Sequence, residues 1–84
     1  MNWRKTTVAE AEARHPGNPD VPRLQHVFGG LHREWEALKA AMQPGDELYA
    51  FHSSPESWHA LAGRRGFALV RNGKVVRKVV TLLN

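Results

Sequence analysis

The chain has 84 residues, 42% of them hydrophobic and 24% charged, which suits one small globular domain and excludes a second. It contains no cysteine, so disulfides and thiolate metal sites are excluded and a cytoplasmic location is favoured. No apolar run approaches the roughly 18 residues of a membrane-spanning helix, and the first five residues lack the apolar segment of a signal peptide. We therefore expect a single α+β domain over residues 1–84, without membrane insertion, in which residues 1–20 form a loosely held N-terminal arm.

The charged residues are unevenly distributed along the chain. Twelve Lys and Arg residues and eight Asp and Glu residues give a formal net charge of +4 at pH 7. Residues 1–56 contain all eight acids and six bases, a net charge of −2, whereas residues 57–84 contain six bases and no acid, a net charge of +6. This asymmetry indicates an acidic partner, which is a protein surface, a nucleic acid or an anionic membrane surface.

Two helices are predicted in the N-terminal half. Thr7 followed by Glu10 has the spacing of a capping box and predicts a short helix over residues 8–14, ended by the loop of residues 15–19. Asp20 is then a suitable N-cap for a long amphipathic helix from Pro22 to Met42, because apolar residues recur at steps of three and four. The residues of this apolar stripe are Leu24, Val27, Phe28, Leu31, Trp35, Leu38 and Met42.

The C-terminal half has the pattern of a small sheet. Residues 47–52 read as a strand, Ser54 and Pro55 begin a short helix, and residues 66–71 and 74–83 read as two strands joined at Asn72-Gly73. The last strand is apolar on both faces apart from Arg77 and Lys78, so we expect it at the centre, with the order first, third, second and every pair antiparallel. The predicted fold class is α+β: a three-stranded antiparallel sheet with β-α-β-β connectivity, packed against the long helix, plus the short N-terminal helix.

The C-terminal residues also carry a recognisable pattern, W..LAGR.G..LVR.G.VV...VT..N. Its members are Trp58, Leu61, Ala62, Gly63, Arg64, Gly66, Leu69, Val70, Arg71, Gly73, Val80, Thr81 and Asn84. The pattern resembles that of small uncharacterised bacterial proteins and covers less than half of the chain. Its positions belong to a helix end, a hairpin turn and a core, so the resemblance bears on the fold and implies no activity.

The histidines do not have the spacing of a metal site. They are His15, His26, His32, His52 and His59. His26 and His32 are six residues apart, about 120° around the predicted helix rather than on one face. His52 ends a strand and His59 lies on the next helix, so these two are the pair that could converge with Glu56, and their role is left open. We expect neither a metal ion nor a cofactor.

The sequence also argues against a catalytic role for the serines as nucleophiles. Ser53 and Ser54 follow His52, but adjacent residues of a strand point to opposite faces, and no acid is placed to orient the histidine. Helix capping accounts for the serines. We therefore expect a protein that is not an enzyme.

A cluster of bases is the feature that suggests a function. The candidate partner-binding residues are Arg64, Arg65, Arg71, Lys74, Arg77 and Lys78. Regular pairing of Arg71 with Lys74 across the turn places Phe67 opposite Lys78. The alternative is that these cations only keep an edge strand from aggregating.

The predicted function is a small non-enzymatic binding module that presents this basic hairpin to an acidic partner. A protein partner is preferred, in an inhibitor, immunity-like or accessory role, with nucleic-acid binding as the alternative. A protein that binds nucleic acid by stacking with the bases usually has exposed aromatic side chains. Trp35, Trp58 and Phe67 occupy core-like positions, so Trp3 is the aromatic residue expected to be free for stacking. A homodimer is left open.

Overall fold

The computed structural model describes residues 2–18, 20–21, 25–60 and 63–83. In chain order the elements are strand β1 (Asn2–Thr6), helix α1 (Val8–Arg14), a 3₁₀ turn (Gly29–Leu31), helix α2 (His32–Ala41), strand β2 (Glu47–His52), helix α3 (Pro55–His59), strand β3 (Arg64–Arg71) and strand β4 (Lys74–Leu83). The described strands form one antiparallel sheet in the order β1-β2-β3-β4.

The prediction of a three-stranded sheet with the last strand at its centre is wrong. The sheet has a fourth strand, β1, and β4 lies at an edge. β2 and β3 are antiparallel neighbours because residues 53–63 join them with a helix of only five residues. A crossover between parallel strands needs a dozen or more residues, so this connection returns the chain directly beside β2.

β1 was not predicted because its sequence has little apolar alternation. Its pairing with β2 runs from Asn2 opposite His52 to Thr6 opposite Leu48. Of its five residues, Thr6 is the one that is buried. The strand therefore depends on pairing with residues 42 to 50 positions away in sequence, which no local pattern reveals.

The prediction of a helix from Pro22 to Met42 is also wrong in extent. Helix α2 begins at His32, after the 3₁₀ turn, because Phe28 has a left-handed φ of 63° and Gly29 a φ of 49°. A left-handed residue cannot continue a right-handed helix. Pro22–Leu24 lie outside the described residues. In the described part of the chain, no helix has the length and apolar character needed to cross a bilayer.

The core lies between the helices and one face of the sheet. Trp35 and Leu38 of α2 are completely buried, which confirms the predicted orientation of their helical face. Phe28 reaches the same core from the turn, with its ring stacked on Trp35 at 4.2 Å and edge-on to Phe67 at 5.5 Å. The remaining members of the buried cluster are Ala11, Leu48, Leu69 and Val79.

A β-bulge changes the register of the hairpin. Val70 pairs with Val75, but Leu69 pairs with Arg77, so Val76 is an extra residue on β4. The predicted pairing of Phe67 with Lys78 is wrong, because the bulge moves Val79 opposite Phe67. This shift of one residue sends the side chains from Arg77 to Val80 to the opposite face from regular pairing, and a second irregularity follows between Arg65 and Gly66. The bulge thereby buries an aliphatic residue where regular pairing would bury a charge.

Candidate functional site

The six candidate bases do not form one patch. Arg77 lies opposite Leu69, on the sheet face that carries the core, whereas Lys78 lies opposite Ala68, on the other face. Arg65 and Arg71 are at opposite ends of β3 and are six residues apart, about 20 Å along a strand. The structure therefore separates the hairpin cations from Arg64 and Arg65, and their shared role in partner binding stays a prediction.

Arg71 is used within the fold. Its Nε donates to Oδ1 of Asp46 at 2.9 Å, and its Nη2 donates to Oδ2 of Asp46 at 2.8 Å and to the carbonyl oxygen of Ala41 at 3.0 Å. The side chain of Asp46 is only 2% exposed. Hydrogen bonding to Arg71 lowers the pKa of Asp46, with a smaller contribution from the backbone N–H of Gln43. Arg71 thus fastens the hairpin to the turn before β2.

The other hairpin cations are exposed. Lys74, Arg77 and Lys78 lie on β4, and within the described residues none of them is within 4 Å of a carboxylate oxygen. Val75 and Val76, which lie between them in the sequence, are each 45% exposed. We call Lys74–Lys78 the basic edge. It combines positive charge, exposed aliphatic surface and the free side of an edge strand.

A second group of cations surrounds a cavity of about 500 Å³ on the core-bearing face of the sheet. Arg4 is on β1, Arg65 is on β3, and Arg14 is the last residue of α1, so three elements each supply one arginine to its lining. His15 and His52 also line this cavity, which we call the cationic cleft. Among the described residues that line it there is no Asp or Glu.

The strand register explains why these residues meet. Asn2, His52 and Arg65 form one cross-strand row, and Arg4, Ala50 and Phe67 form another. Side chains in such rows point to the same face. Ala50 is small, which leaves space between the arginines. Of the cations in the cleft, only Arg65 was a predicted site residue, because the others come from a strand that the sequence did not reveal and from the end of α1.

His15 lines the cleft and packs against two aromatic residues of the core. Its carbonyl oxygen accepts a hydrogen bond from the backbone N–H of Phe28 at 2.8 Å, and its ring stacks on Phe28 at 4.6 Å and meets Phe67 edge-on at 5.7 Å. Burial lowers the pKa of His15, and the positive charges of Arg65 and Arg14 lower it further. The cleft therefore disfavours an additional cation.

An adjoining cavity of about 480 Å³ shares His15 and Arg65 with the cleft. Phe28, Leu31 and Leu82 give it an apolar lining. The two cavities together place an apolar surface beside a cluster of arginines.

The histidines and serines take structural positions. His26 and His32 stack at 4.5 Å, so the predicted separation of 120° is wrong, because His26 precedes the helix. Within the described residues, no group of three His, Asp or Glu side chains is arranged to hold a metal ion. Ser53 is buried, and its Oγ accepts the backbone N–H of Arg64 at 2.9 Å. Ser54 caps α3, as its position before Pro55 predicts.

No protein-family model, curated protein or solved structure matches the chain. The resemblance of the C-terminal residues to small bacterial proteins therefore stays a prediction.

Proposed function

We propose that the protein is a cytoplasmic, non-catalytic binding module that contacts an acidic partner protein through the basic edge. The observation that carries this proposal is the combination of exposed cations and exposed valines on β4. In the described sheet β4 hydrogen-bonds to β3 alone, so the backbone groups on its outer side are available to a partner. Arg71 is excluded from the contact surface because Asp46 already binds it.

A protein partner fits this edge better than a nucleic acid does. Val75 and Val76 supply aliphatic area, which packs against apolar protein side chains but does not stack with bases in the way that aromatic rings do. The exposed aromatic residue Trp3 is on β1, at the opposite edge of the sheet. Basic and aromatic residues are thus not interleaved on β4.

The test begins with capture of partners by the immobilised wild-type protein from cell extract with and without nuclease treatment. The captured protein is purified, and its affinity is measured for Arg77→Glu. The matched control is Arg33→Glu, which changes the net charge by the same amount at an exposed residue away from β4 that, like Arg77, has no ion pair among the described residues. We expect the β4 variant to lose at least about tenfold in affinity and the control to lose much less.

Two results would overturn the proposal. One is equal affinity of the two charge-reversed variants, which would make the basic edge a solvated surface. The other is loss of all binding on nuclease treatment, together with an affinity of the wild-type protein for duplex DNA that falls steeply as the salt concentration rises. Four phosphate contacts would give a slope near −4 in log affinity against log salt.

A further inference from the structure

Among the residues that the structure describes, the cationic cleft has no acidic side chain to balance its charge. Arg4, Arg14 and Arg65 line it from β1, α1 and β3, and all three are exposed. Arginine keeps its charge at all ordinary pH values, so the cleft stays positively charged whatever the pH. A bound anion can balance that charge.

The chemistry of the donors favours an oxyanion with more than one charge. A guanidinium presents a planar set of N–H donors that matches the oxygens of a phosphate group. Three such groups offer more donors than a single carboxylate can accept. Asn2 and His52 also line the cleft, in the cross-strand row of Arg65.

The adjoining cavity indicates what the anion is attached to. It meets the cleft at His15 and Arg65, and its apolar lining comes from Phe28, Leu31 and Leu82. Each cavity has a volume within the roughly 300–1,000 Å³ that is usual for sites of small ligands. A ligand that fills both has a charged head and an apolar body.

We propose that the cationic cleft binds the phosphate group of a small phosphomonoester, whose apolar body lies against Phe28, Leu31 and Leu82. The site is separate from the basic edge, because its β4 residue, Leu82, pairs with Arg65 at the opposite end of the strand from Lys74–Lys78. It therefore stands or falls independently of the proposed protein partner.

His15 provides a spectroscopic probe of occupancy. Arg14 on α1, Arg4 on β1, His52 on β2 and Arg65 on β3 face the cleft around it. A phosphate dianion among these groups stabilises the imidazolium form of His15. In NMR titrations we expect inorganic phosphate to raise the pKa of His15 and to shift its ring resonances in a saturable manner.

Calorimetric titration separates the two halves of the proposed site. The probes are inorganic phosphate, phenyl phosphate and phenol. We expect phenyl phosphate to bind about tenfold or more tightly than inorganic phosphate, because its ring displaces water from the apolar cavity. Phenol, which lacks the charged head, should bind more weakly than either.

Exposed residues allow variants that keep the fold. Arg65→Gln should weaken binding of both phosphates by about tenfold or more, whereas Leu82→Ala should weaken binding of phenyl phosphate alone. Lys78→Gln, which removes one charge on the other sheet face, is the control and should bind as the wild type does. Equal affinity of Arg65→Gln and Lys78→Gln for phosphate would overturn the cleft as the site. Equal affinity of the wild type for inorganic phosphate and phenyl phosphate would overturn the proposal that the apolar body of the ligand occupies the adjoining cavity.

Discussion

Arg71 and Asp46 form a two-point contact in which Nε and Nη2 of the guanidinium each donate to a different carboxylate oxygen, at 2.9 and 2.8 Å. The contact joins the end of β3 to the turn between α2 and β2, and the same guanidinium also reaches the last residue of α2. Arg71, which the sequence predicts to bind a partner, therefore joins three parts of the fold: the end of β3, the turn before β2 and the end of α2.

We predict that Arg71→Gln lowers the melting temperature by several degrees. The substitution leaves the nearly buried carboxylate of Asp46 without its charged donors, which is costlier than losing an exposed pair. Thermal unfolding followed by circular dichroism measures the effect. Lys74→Gln, one residue beyond the turn, is the matched control and should melt close to the wild type. Similar melting temperatures for both variants would show that the contact contributes little.

Local signals in the sequence were sufficient for the caps and the tight turn. Thr7 accepts the backbone N–H of Glu10, as the capping spacing predicts, and α1 has the predicted bounds. Asn72 and Gly73 have φ values of 53° and 77°, as a type I′ turn requires. These features depend on residues within three or four positions of each other, so the sequence specifies them directly.

Local sequence patterns do not predict the features that tertiary packing determines. The apolar spacing of Phe28, Trp35 and Leu38 predicts one continuous helix, yet Phe28 reaches the shared core from a left-handed turn. The bulge at Val76 is equally invisible locally, because two adjacent valines suit either register. The cationic cleft required β1 to be known. The apolar periodicity therefore predicts which side chains are buried more accurately than it predicts the backbone conformation of the residues that carry them.

We predict that Trp35→Ala destabilises the protein by about 3–5 kcal/mol, which is enough to unfold much of so small a domain. Trp35 is completely buried against Phe28 and Phe67, so truncation leaves a cavity between helix and sheet. Urea unfolding of Trp35→Ala and of Trp3→Ala makes the comparison. Trp3 is 46% exposed, and its removal should cost about 1 kcal/mol or less. Comparable losses would contradict the placement of Trp35 in the core.

We predict that Gly66→Ala prevents normal pairing of β3 with β4. A methyl group at Gly66 would overlap the backbone carbonyl oxygen of Val79 and press on the ring of Phe51. The carbonyl cannot move aside without disturbing the ladder, so the strand must shift. Amide hydrogen exchange along β4 should show loss of protection. Ala50→Gly, a comparable one-carbon change on β2, should keep that protection, and a protected β4 in Gly66→Ala would refute the prediction.

The contact between α1 and α2 should make stability depend on acid pH. The carboxylate oxygen Oε2 of Glu12 accepts Nζ of Lys39 at 2.7 Å and Nε1 of Trp35 at 2.8 Å. The hydrogen bond from Lys39, followed by that from Trp35, lowers the pKa of Glu12 in the folded protein. Below about pH 5 the unfolded chain therefore binds more protons at this position than the folded chain does, and stability falls as the pH is lowered.

Glu12→Gln removes this titration while keeping an oxygen that can accept from Trp35. We predict that the variant is less stable than the wild type at pH 7 and that its stability declines less steeply between about pH 5 and pH 3. Asp46→Asn should reduce the slope in the same way, because Arg71 lowers the pKa of Asp46.

Glu34→Gln, at an exposed position of α2 without an ion pair in the described part of the chain, controls for the loss of a carboxylate. Urea unfolding at several pH values provides the measurement. An unchanged slope in Glu12→Gln would mean that the Glu12 carboxylate does not couple protonation to folding, even though it joins the two helices.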